Sequence, residues 1–438
     1  MGLNNQAVKE FNVTRFRIFS NKNGKFADIP QKEGIFVNLH YYESILENSI
    51  KATAIIADTG YSIENDGKYV SLIEGLDLSG GEFVELHIED GYGNKLQFSG
   101  TRVLRIGRIR NKMEHTQNMV FVIDLVTTEF FHNEFAETRV DGSFEGRISL
   151  SVKNILENYL KTSKDLDIEE TENSYPFNGN QQTGFPLYTC TKLARRSVPK
   201  GGKMTSAGFF FFENYDGFKF KSIESLLDKN RPYKKYIYTN TTELPVGYDG
   251  KISRVTPVIN IDVQQKMAIG AWGSQVKTYN YFDTGYTQKD FSVELEGANG
   301  VNLAGKNLPS LPDDIIGKPT RIISRMQPYG VKQQITKEKS KEKDYNVEEI
   351  AAQAASRYNQ LFTIVLNIVI AGDFSHRAGD LIYCDFPELS SDRTQIVSGK
   401  NSGFYMIANI TQQLDARDGA YTQLTLVRDS YGRIPFKR

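Results

Sequence analysis

The sequence predicts a mainly β fold with α+β insertions, in which two similar antiparallel β-barrels flank a smaller α+β middle domain. Three observations predict it. One strand pattern occurs twice in the chain, short apolar runs alternate with turn residues, and aromatic residues, which favour strands, are abundant at 23 Tyr and 27 Phe. Short strands with frequent turns are typical of barrels and sandwiches.

The duplication joins residues 104–130 to residues 405–431, which align without a gap. The coinciding apolar positions are Ile106 with Ile407, Ile109 with Ile410, Leu125 with Leu426 and Val126 with Val427. Upstream, GEFVEL at 81–86 corresponds to GDLIYC at 379–384. Each copy reads as a strand, a gap, a strand, a polar turn and a strand. One β-module used twice favours a part that builds rings over an enzyme with a single pocket.

Length and composition bound the function. The 438 residues predict two to four domains. Lys and Arg together number 53, and Asp and Glu together also number 53, so the formal net charge is zero. This balance does not indicate nucleic-acid or membrane binding. We expect no signal peptide and no membrane-spanning segment, because no apolar run is long enough. Cys190 and Cys384 lack motif spacing, which excludes a disulfide scaffold or a cysteine-based zinc site and fits folding in a reducing cytoplasm.

The predicted domain organisation follows the strand and turn pattern along the chain. It comprises an N-terminal arm (1–33), a first barrel (34–140), an α+β middle domain (141–244), a second barrel (245–295 and 346–433), an insertion or loop (296–345) and a C-terminal tail (434–438). In the middle domain, Ser151 is predicted to cap a helix whose apolar face is Val152, Ile155, Leu156 and Leu160. The run GFFFFE followed by GFKFKSI predicts a hairpin that turns at residues 214–217. An Ala-rich helix is predicted over residues 347–362.

Catalytic patterns are missing from the sequence. The five histidines (His40, His87, His115, His132 and His376) show no metal-ligand spacing, and neither a nucleophile elbow nor a phosphate-binding loop occurs. The acidic stretch at 165–172 could in principle supply a glycosidase pair, but its polar context favours a solvated linker. We therefore predict no catalytic residue, no cofactor and no metal site.

The run Phe209–Phe212 requires both faces of its strand to be covered, because neighbouring residues in a strand point to opposite sides. Two interpretations stay open. The strand is central in a packed domain, or one of its faces is covered by a neighbouring chain.

Four stretches resemble a known family. They are residues 121–134 with 146–160 (FVIDLVTTEFFHNE, GRISLSVKNILENYL), 207–227 (AGFFFFENYDGFKFKSIESLL), 372–388 (GDFSHRAGDLIYCDFPE) and 403–414 with 421–432 (GFYMIANITQQL, YTQLTLVRDSYG). In this order they resemble baseplate hub proteins of contractile-tailed bacteriophages, of the T-even central hub type. That group is related to late-control D tail proteins and to the N-terminal part of type VI secretion spike proteins. Residues 296–345 depart from the pattern.

The resemblance implies a structural virion protein of the tail baseplate, assembled in the host cytoplasm. Three chains would place six tube-like barrels around a channel for DNA, joining a sixfold tail tube to a threefold spike. The implied partners are two further copies (a homotrimer), the central spike protein, the tail tube or its initiator ring, baseplate wedge proteins and the tape-measure protein. The candidate contact residues are Phe209, Phe210, Phe211, Phe212, Tyr215, Phe218 and Phe220 for a subunit or spike contact, and Tyr405, Ile407, Tyr421, Leu424 and Leu426 for the ring wall.

Three rival functions remain. A type VI secretion-like spike component would share the fold, and we expect such a protein to continue into a long spike, which this sequence does not. A tail-associated cell-wall hydrolase would need an acid–base pair. A lone ligand-binding barrel would leave the duplication unexplained.

Overall fold

The computed structural model is mainly antiparallel β, with helices concentrated in the middle of the chain. It describes residues 10–22, 24–29, 36–65, 67–114, 118–172, 175, 177–179, 184–201, 206–241, 243–259, 262–279, 284, 286–292, 301–309, 312, 315, 318–326, 347–388 and 397–436. The start of the predicted arm, His115 and much of the predicted insertion at 296–345 lie outside the described residues.

The first barrel surrounds one apolar core. Its elements are β1 (Phe11–Phe19), β2 (Phe26–Asp28), β3 (Phe36–Ser44), β4 (Lys51–Asp58), β5 (Ile63–Asn65), β6 (Lys68–Val70), α1 (Leu72–Leu76), β7 (Phe83–Asp90), β8 (Lys95–Phe98), a 3-10 turn (Gly100–Arg102), β9 (Leu104–Glu114) and β10 (Met119–Thr127). The strand order is β3-β4-β10-β9-β7-β1. Alternate side chains such as Leu39, Ala54, Leu86 and Ile123 fill the core.

The predicted loose N-terminal arm is wrong for residues 11–29. β1 pairs antiparallel with β7 from Phe11 to Ile18, and Phe16 and Ile18 are buried. Polar residues between these apolar positions face outward, so the segment reads as polar although it forms a barrel strand.

The middle domain contains α2 (Thr128–His132), a 3-10 turn (Ala136–Thr138), β11 (Ser143–Phe144), α3 (Ile148–Asn154), β12 (Leu166–Ile168), β13 (Phe177–Asn178), α4 (Pro186–Ala194), β14 (Phe209–Asn214), β15 (Gly217–Ser222) and α5 (Ile223–Leu226). β14 and β15 form the predicted hairpin, with Asn214 opposite Gly217. Helix α3 continues as a π-helical turn over Ile155–Tyr159. The predicted cap at Ser151 is wrong, because α3 begins at Ile148 and Ser151 lies buried inside it.

The second barrel is closed. Its strands are β16 (Lys234–Ile237), β17 (Gly250–Lys251), β18 (Arg254–Ile259), β22 (Ile364–Ala371), β23 (Leu381–Asp385), β24 (Gly403–Asp415) and β25 (Gly419–Arg428). The segment 250–259 pairs with β16 at its start and with β22 at its end, which joins the two ends of the sheet. The barrel therefore begins at Lys234, not at the predicted residue 245, because β16 pairs in parallel with β23.

Between β18 and β22 the chain forms a separate small unit. It contains α6 (Val263–Ala268), β19 (Gly273–Tyr279), β20 (Tyr286–Ser292), β21 (Arg321–Met326) and α7 (Val347–Leu361). β19 pairs with β20 and β21 in its own sheet. Residues 262–292, predicted as barrel strands, thus lie outside the second barrel, while α7 confirms the predicted Ala-rich helix.

The duplication is confirmed by the hydrogen-bonding register of the two copies. Leu125 pairs with Ile106, and the next pair, Asp124 with Arg108, skips Gly107. In the second copy Leu426 pairs with Ile407, and the pair of Thr425 with Asn409 skips Ala408. Gly107 and Ala408 are aligned residues, so both copies have a bulge at the same place. A β-bulge re-aims a strand, which makes a shared bulge a specific structural signature.

The upstream strands also match bond for bond. The Gly81 N–H donates to the Ile106 carbonyl at 2.7 Å, and the Gly379 N–H donates to the Ile407 carbonyl at 2.9 Å. Both glycines have left-handed backbone, at φ +83° and +88°, a conformation that favours glycine. The next residue, acidic in each copy, accepts a bond from the backbone N–H three positions earlier. The aligned GEFVEL and GDLIYC segments are therefore structural equivalents.

Candidate assembly surfaces

The two barrels are joined by a continuous sheet. The second half of β24, from Asn409 to Asp415, pairs antiparallel with β3, from Ser44 to Asn38. The Ser44 hydroxyl donates to the Asn409 side-chain oxygen at 2.6 Å. Each barrel thus covers a strand edge of the other, which removes unpaired backbone groups from solvent.

Glu43 lies behind this junction and connects three parts of the chain. Its buried carboxylate accepts hydrogen bonds from the Tyr41 hydroxyl at 2.6 Å, the Tyr215 N–H at 2.9 Å and the Ala378 N–H at 2.8 Å. Burial raises the pKa of Glu43, although these donors and the nearby Arg377 oppose the shift. The carboxylate fixes the middle-domain hairpin against both barrels, which gives the junction a defined angle.

A second buried cluster ties the middle domain to the first barrel. The Lys164 ammonium lies 2.6 Å from a Glu129 oxygen and 2.5 Å from a Glu213 oxygen. Glu213 also accepts from the Thr127 hydroxyl at 3.1 Å and from the Ile50 N–H at 3.3 Å. Burial raises the pKa of Glu213 against the opposing effect of Lys164. All three charged side chains are at least nine-tenths buried, so the cluster is structural and not a surface ion pair.

A third cluster occupies the turn before β23. The Tyr236 hydroxyl lies 2.6 Å from Nε2 of His376, and the Lys234 ammonium lies 2.6 Å from an Asp373 oxygen. Burial alone would raise the pKa of Asp373, but His376 and Lys234 outweigh it and lower that pKa to about 2. Burial lowers the pKa of His376 to about 4, with Asp373 opposing. The adjacent Phe374 N–H donates to Asp90 of the first barrel at 2.7 Å, so this turn is a further inter-barrel contact.

The His376 cluster predicts acid sensitivity. Between about pH 6.5 and pH 4 an unfolded chain protonates this histidine, whereas the folded chain does not. Stability therefore falls as pH falls through this window, by roughly 2 kcal/mol between pH 7 and pH 5 for this group. We expect His376→Gln to lose that part of the pH dependence when denaturant unfolding is measured at both pH values. The half-exposed His132→Gln serves as the matched control, and an unchanged slope in His376→Gln would contradict the assignment.

The candidate contact residues lie mostly in the interior of the chain. Phe210 and Phe212 pack into the core beneath the second barrel, while Phe209, Phe211, Phe218 and Phe220 pack into the middle-domain core. The structure corrects the expectation that these six side chains form a surface contact, since one strand fills two cores of the same chain. This is the central-strand interpretation of the Phe run.

The expected ring-wall residues are also mainly internal. Tyr405, Ile407, Leu424 and Leu426 fill the core of the second barrel and are fully buried in the single chain, so they support the wall from inside. Tyr215 and Tyr421 are half-buried. Tyr215 and Tyr421 therefore remain proposed contact residues. Sequence reasoning missed the strand edges, which a comparison of the two copies edge by edge could have revealed.

The acidic stretch at 165–172 is not a plain linker. Its strand β12 pairs in parallel with β15, and the Glu169 carboxylate accepts from the Ser222 N–H at 2.9 Å and from the Ser222 hydroxyl at 2.8 Å. Asp167 pairs with Lys219 and Lys221. These carboxylates are occupied in holding the hairpin, and the expected solvated linker is corrected to a sheet edge.

Open clefts are present in the structure. One of about 480 Å³ lies between Phe210 and Tyr358, and one of about 520 Å³ lies beside Leu46 and Phe130. Across the described residues, no group of three or more His, Cys, Asp or Glu side chains is placed to hold a metal ion. Burial raises the pKa of the Cys190 and Cys384 thiols well above the usual range. Among the helices that the structure describes, none has the length and apolar character needed to cross a bilayer.

Solved structures share this fold. A tail protein from Neisseria meningitidis MC58 superposes with a TM-score of 0.54 at 12% identity, over 96% of this chain and 97% of that one. The 43 kDa tail protein of prophage MuSo2 from Shewanella oneidensis gives a TM-score of 0.52 at 11% identity, over 97% of this chain and 100% of that one. This chain has the fold of phage tail proteins. No family model matches the sequence, and no curated protein matches it as a relative. The resemblance seen in the sequence is therefore confirmed at the level of the fold.

Proposed function

We propose that this chain is a structural protein of a phage tail baseplate, and specifically its central hub. The observation that carries the proposal is the repeated barrel with one bulge in the same place in both copies. A chain with two equivalent modules can present six modules around an axis when three chains assemble, so that a threefold ring looks sixfold from one side.

The proposed partners follow from this symmetry. The pseudo-sixfold face would meet the tail tube or its initiator ring, and the threefold face would meet a central spike. Wedge proteins and the tape-measure protein would contact the periphery and the channel. DNA would only pass through, which the equal numbers of basic and acidic residues support, since a strongly basic channel would retain it. The role is non-enzymatic and its place is the virion tail, after assembly in the host cytoplasm.

The mass of the native particle tests the proposal. The purified chain is measured by light scattering alone and after mixing with the spike and tube candidates encoded beside it. We expect a mass of three chains, alone or with the spike. A single chain under every condition would contradict the hub function, and release of sugar or peptide from purified cell wall would favour the hydrolase alternative.

A further inference from the structure

The intrachain junction supplies a template for a contact between chains. At the junction, Thr411 of β24 lies opposite Tyr42 of β3, and Gln412 lies opposite Tyr41. By the alignment of the two copies, Arg110 of β9 is equivalent to Thr411. Ala52 pairs with Leu125 as Leu366 pairs with the aligned Leu426, so Ala52 and Leu366 are equivalent. Ala52 also pairs with Tyr41 of β3, and Leu366 pairs with Pro257 of β18, so β18 is the equivalent of β3.

Within the described residues of the single chain, the equivalent edges are open. β7 pairs with β9 only as far as Ile106, and beyond this point no described strand covers the outer edge of β9. Gly107, Arg108 and Arg110 are exposed, whereas their aligned residues in the second copy are less so: Ala408 is 1% exposed, and Asn409 and Thr411 are half-buried. The first copy thus lacks the cover that the second copy has.

The edge of β18 is open in the same way. β18 pairs with β22 on one side, and within the described residues no strand pairs with its other side. Arg254, Thr256, Pro257 and Val258 are exposed, Val258 by 55%, whereas Leu39 and Tyr41 of β3 are buried. Proline in a sheet is confined to edges and bulges, which fits β18 as an edge strand.

We propose that β9 of one copy pairs antiparallel with β18 of the next copy, in the register of the intrachain junction. Asn111 then lies opposite Pro257. Arg110 lies opposite Val258 when the outer edge of β18 is counted residue by residue from Pro257; Val258 is also the residue that β22 skips at a bulge on the inner edge. The contact is head-to-tail, so three copies close a ring in which each uncovered edge is covered. Pro257 has no N–H, so the ladder there carries at most one hydrogen bond fewer than its template. The inference rests on the proposed hub function and names the surface that closes its ring.

Cysteine cross-linking tests the register. Directly opposed strand residues have Cβ atoms close enough for a disulfide after small adjustments. Arg110→Cys with Val258→Cys in one chain should give, after oxidation, covalent species of three chains on a non-reducing gel. Mixing the two single variants should give covalent dimers only, because each chain then offers one half of the contact. The native cysteines are buried and do not compete.

Two control pairs use the same chain. Thr411→Cys with Tyr42→Cys places a disulfide in the intrachain template and should form without a change in mass. Arg110→Cys with Arg254→Cys displaces the register by four residues, or about 13 Å along the strand, and should not cross-link. Arg110 and Val258 are exposed, so their substitution leaves the barrels intact; Arg110 gives up only a surface ion pair with Asp124.

The outcomes separate this inference from the proposed function. A trimer by mass whose Arg110–Val258 pair stays reduced while the template pair oxidises would overturn the edge contact and leave the hub function standing. Cross-linking of the displaced pair would overturn the register. A single chain under all conditions would overturn both. In the unmodified protein, peptides covering 104–114 and 254–259 should exchange amide hydrogens more slowly in the trimer than in the monomer, and equal rates would count against the contact.

Discussion

Lys164→Met is expected to destabilise the fold by about 3–5 kcal/mol, because removing one partner of a buried ionic cluster leaves uncompensated charge. Lys164 is the cation between Glu129 and Glu213, and Glu213 has no exposed side-chain surface. The measurement is denaturant unfolding at pH 7. The destabilisation should be smaller at acid pH, since burial already raises the pKa of Glu213 and protonation removes the unpaired charge.

Two further variants make this result specific. Lys153→Met removes an exposed partner of Glu157, at 3.7 Å, and should cost less than about 1 kcal/mol. Adding Glu213→Gln to Lys164→Met should recover part of the lost stability. A Lys164→Met protein as stable as the unmodified chain would show that the cluster is not buried as described.

Phe212→Ala is expected to cost about 3–5 kcal/mol in the single chain, the usual range for truncating a buried phenylalanine. Phe212 is 1% exposed and packs under the second barrel. The end of its ring lies beside Gly379, one of the two repeat-equivalent glycines, where an added Cβ would come within 2.9 Å of it, and Gly379 has no side chain of its own to fill the resulting cavity. Thermal or denaturant unfolding of the monomeric protein measures the effect.

The same substitution separates the two interpretations of the Phe run. If Phe212 is an interior residue, its truncation lowers the stability of the monomer. If it were a contact residue, its truncation would leave the stability of the monomer unchanged and reduce only assembly. Phe135→Ala, at a position 44% exposed, is the control and should have little effect on unfolding. Unaltered monomer stability in Phe212→Ala would restore the surface interpretation.

Local patterns in the sequence predicted much of the fold. The duplicated strands, the β14–β15 hairpin and helix α7 were predictable because their periodicity and turn residues lie close together in the chain. β1 was not, since only Phe16 and Ile18 of its nine residues are buried, and the neighbouring Thr14 and Arg15 face solvent. The separate sheet at 273–326 was not, because strand-forming residues do not reveal which sheet they join.

The assembly surfaces were harder to predict than the fold. Aromatic runs look like contact sites in a sequence, yet Phe209–Phe212 satisfy two cores within one chain. The junction of β24 with β3 joins residues more than 300 positions apart, a distance at which no local pattern fixes the pairing. Charged residues such as Glu43 and Lys164 read as surface residues until their partners are known, because charged side chains are rarely buried unless paired.

The central claim is that two equivalent barrels per chain build a pseudo-sixfold ring from three chains. Electron-microscope images of the assembled particle, averaged in axial view without imposed symmetry, test it most directly. The account predicts a ring with six barrel lobes of two alternating kinds around an open channel, repeating every third of a turn. A particle with one or two pairs of lobes, or with six identical lobes, would contradict it.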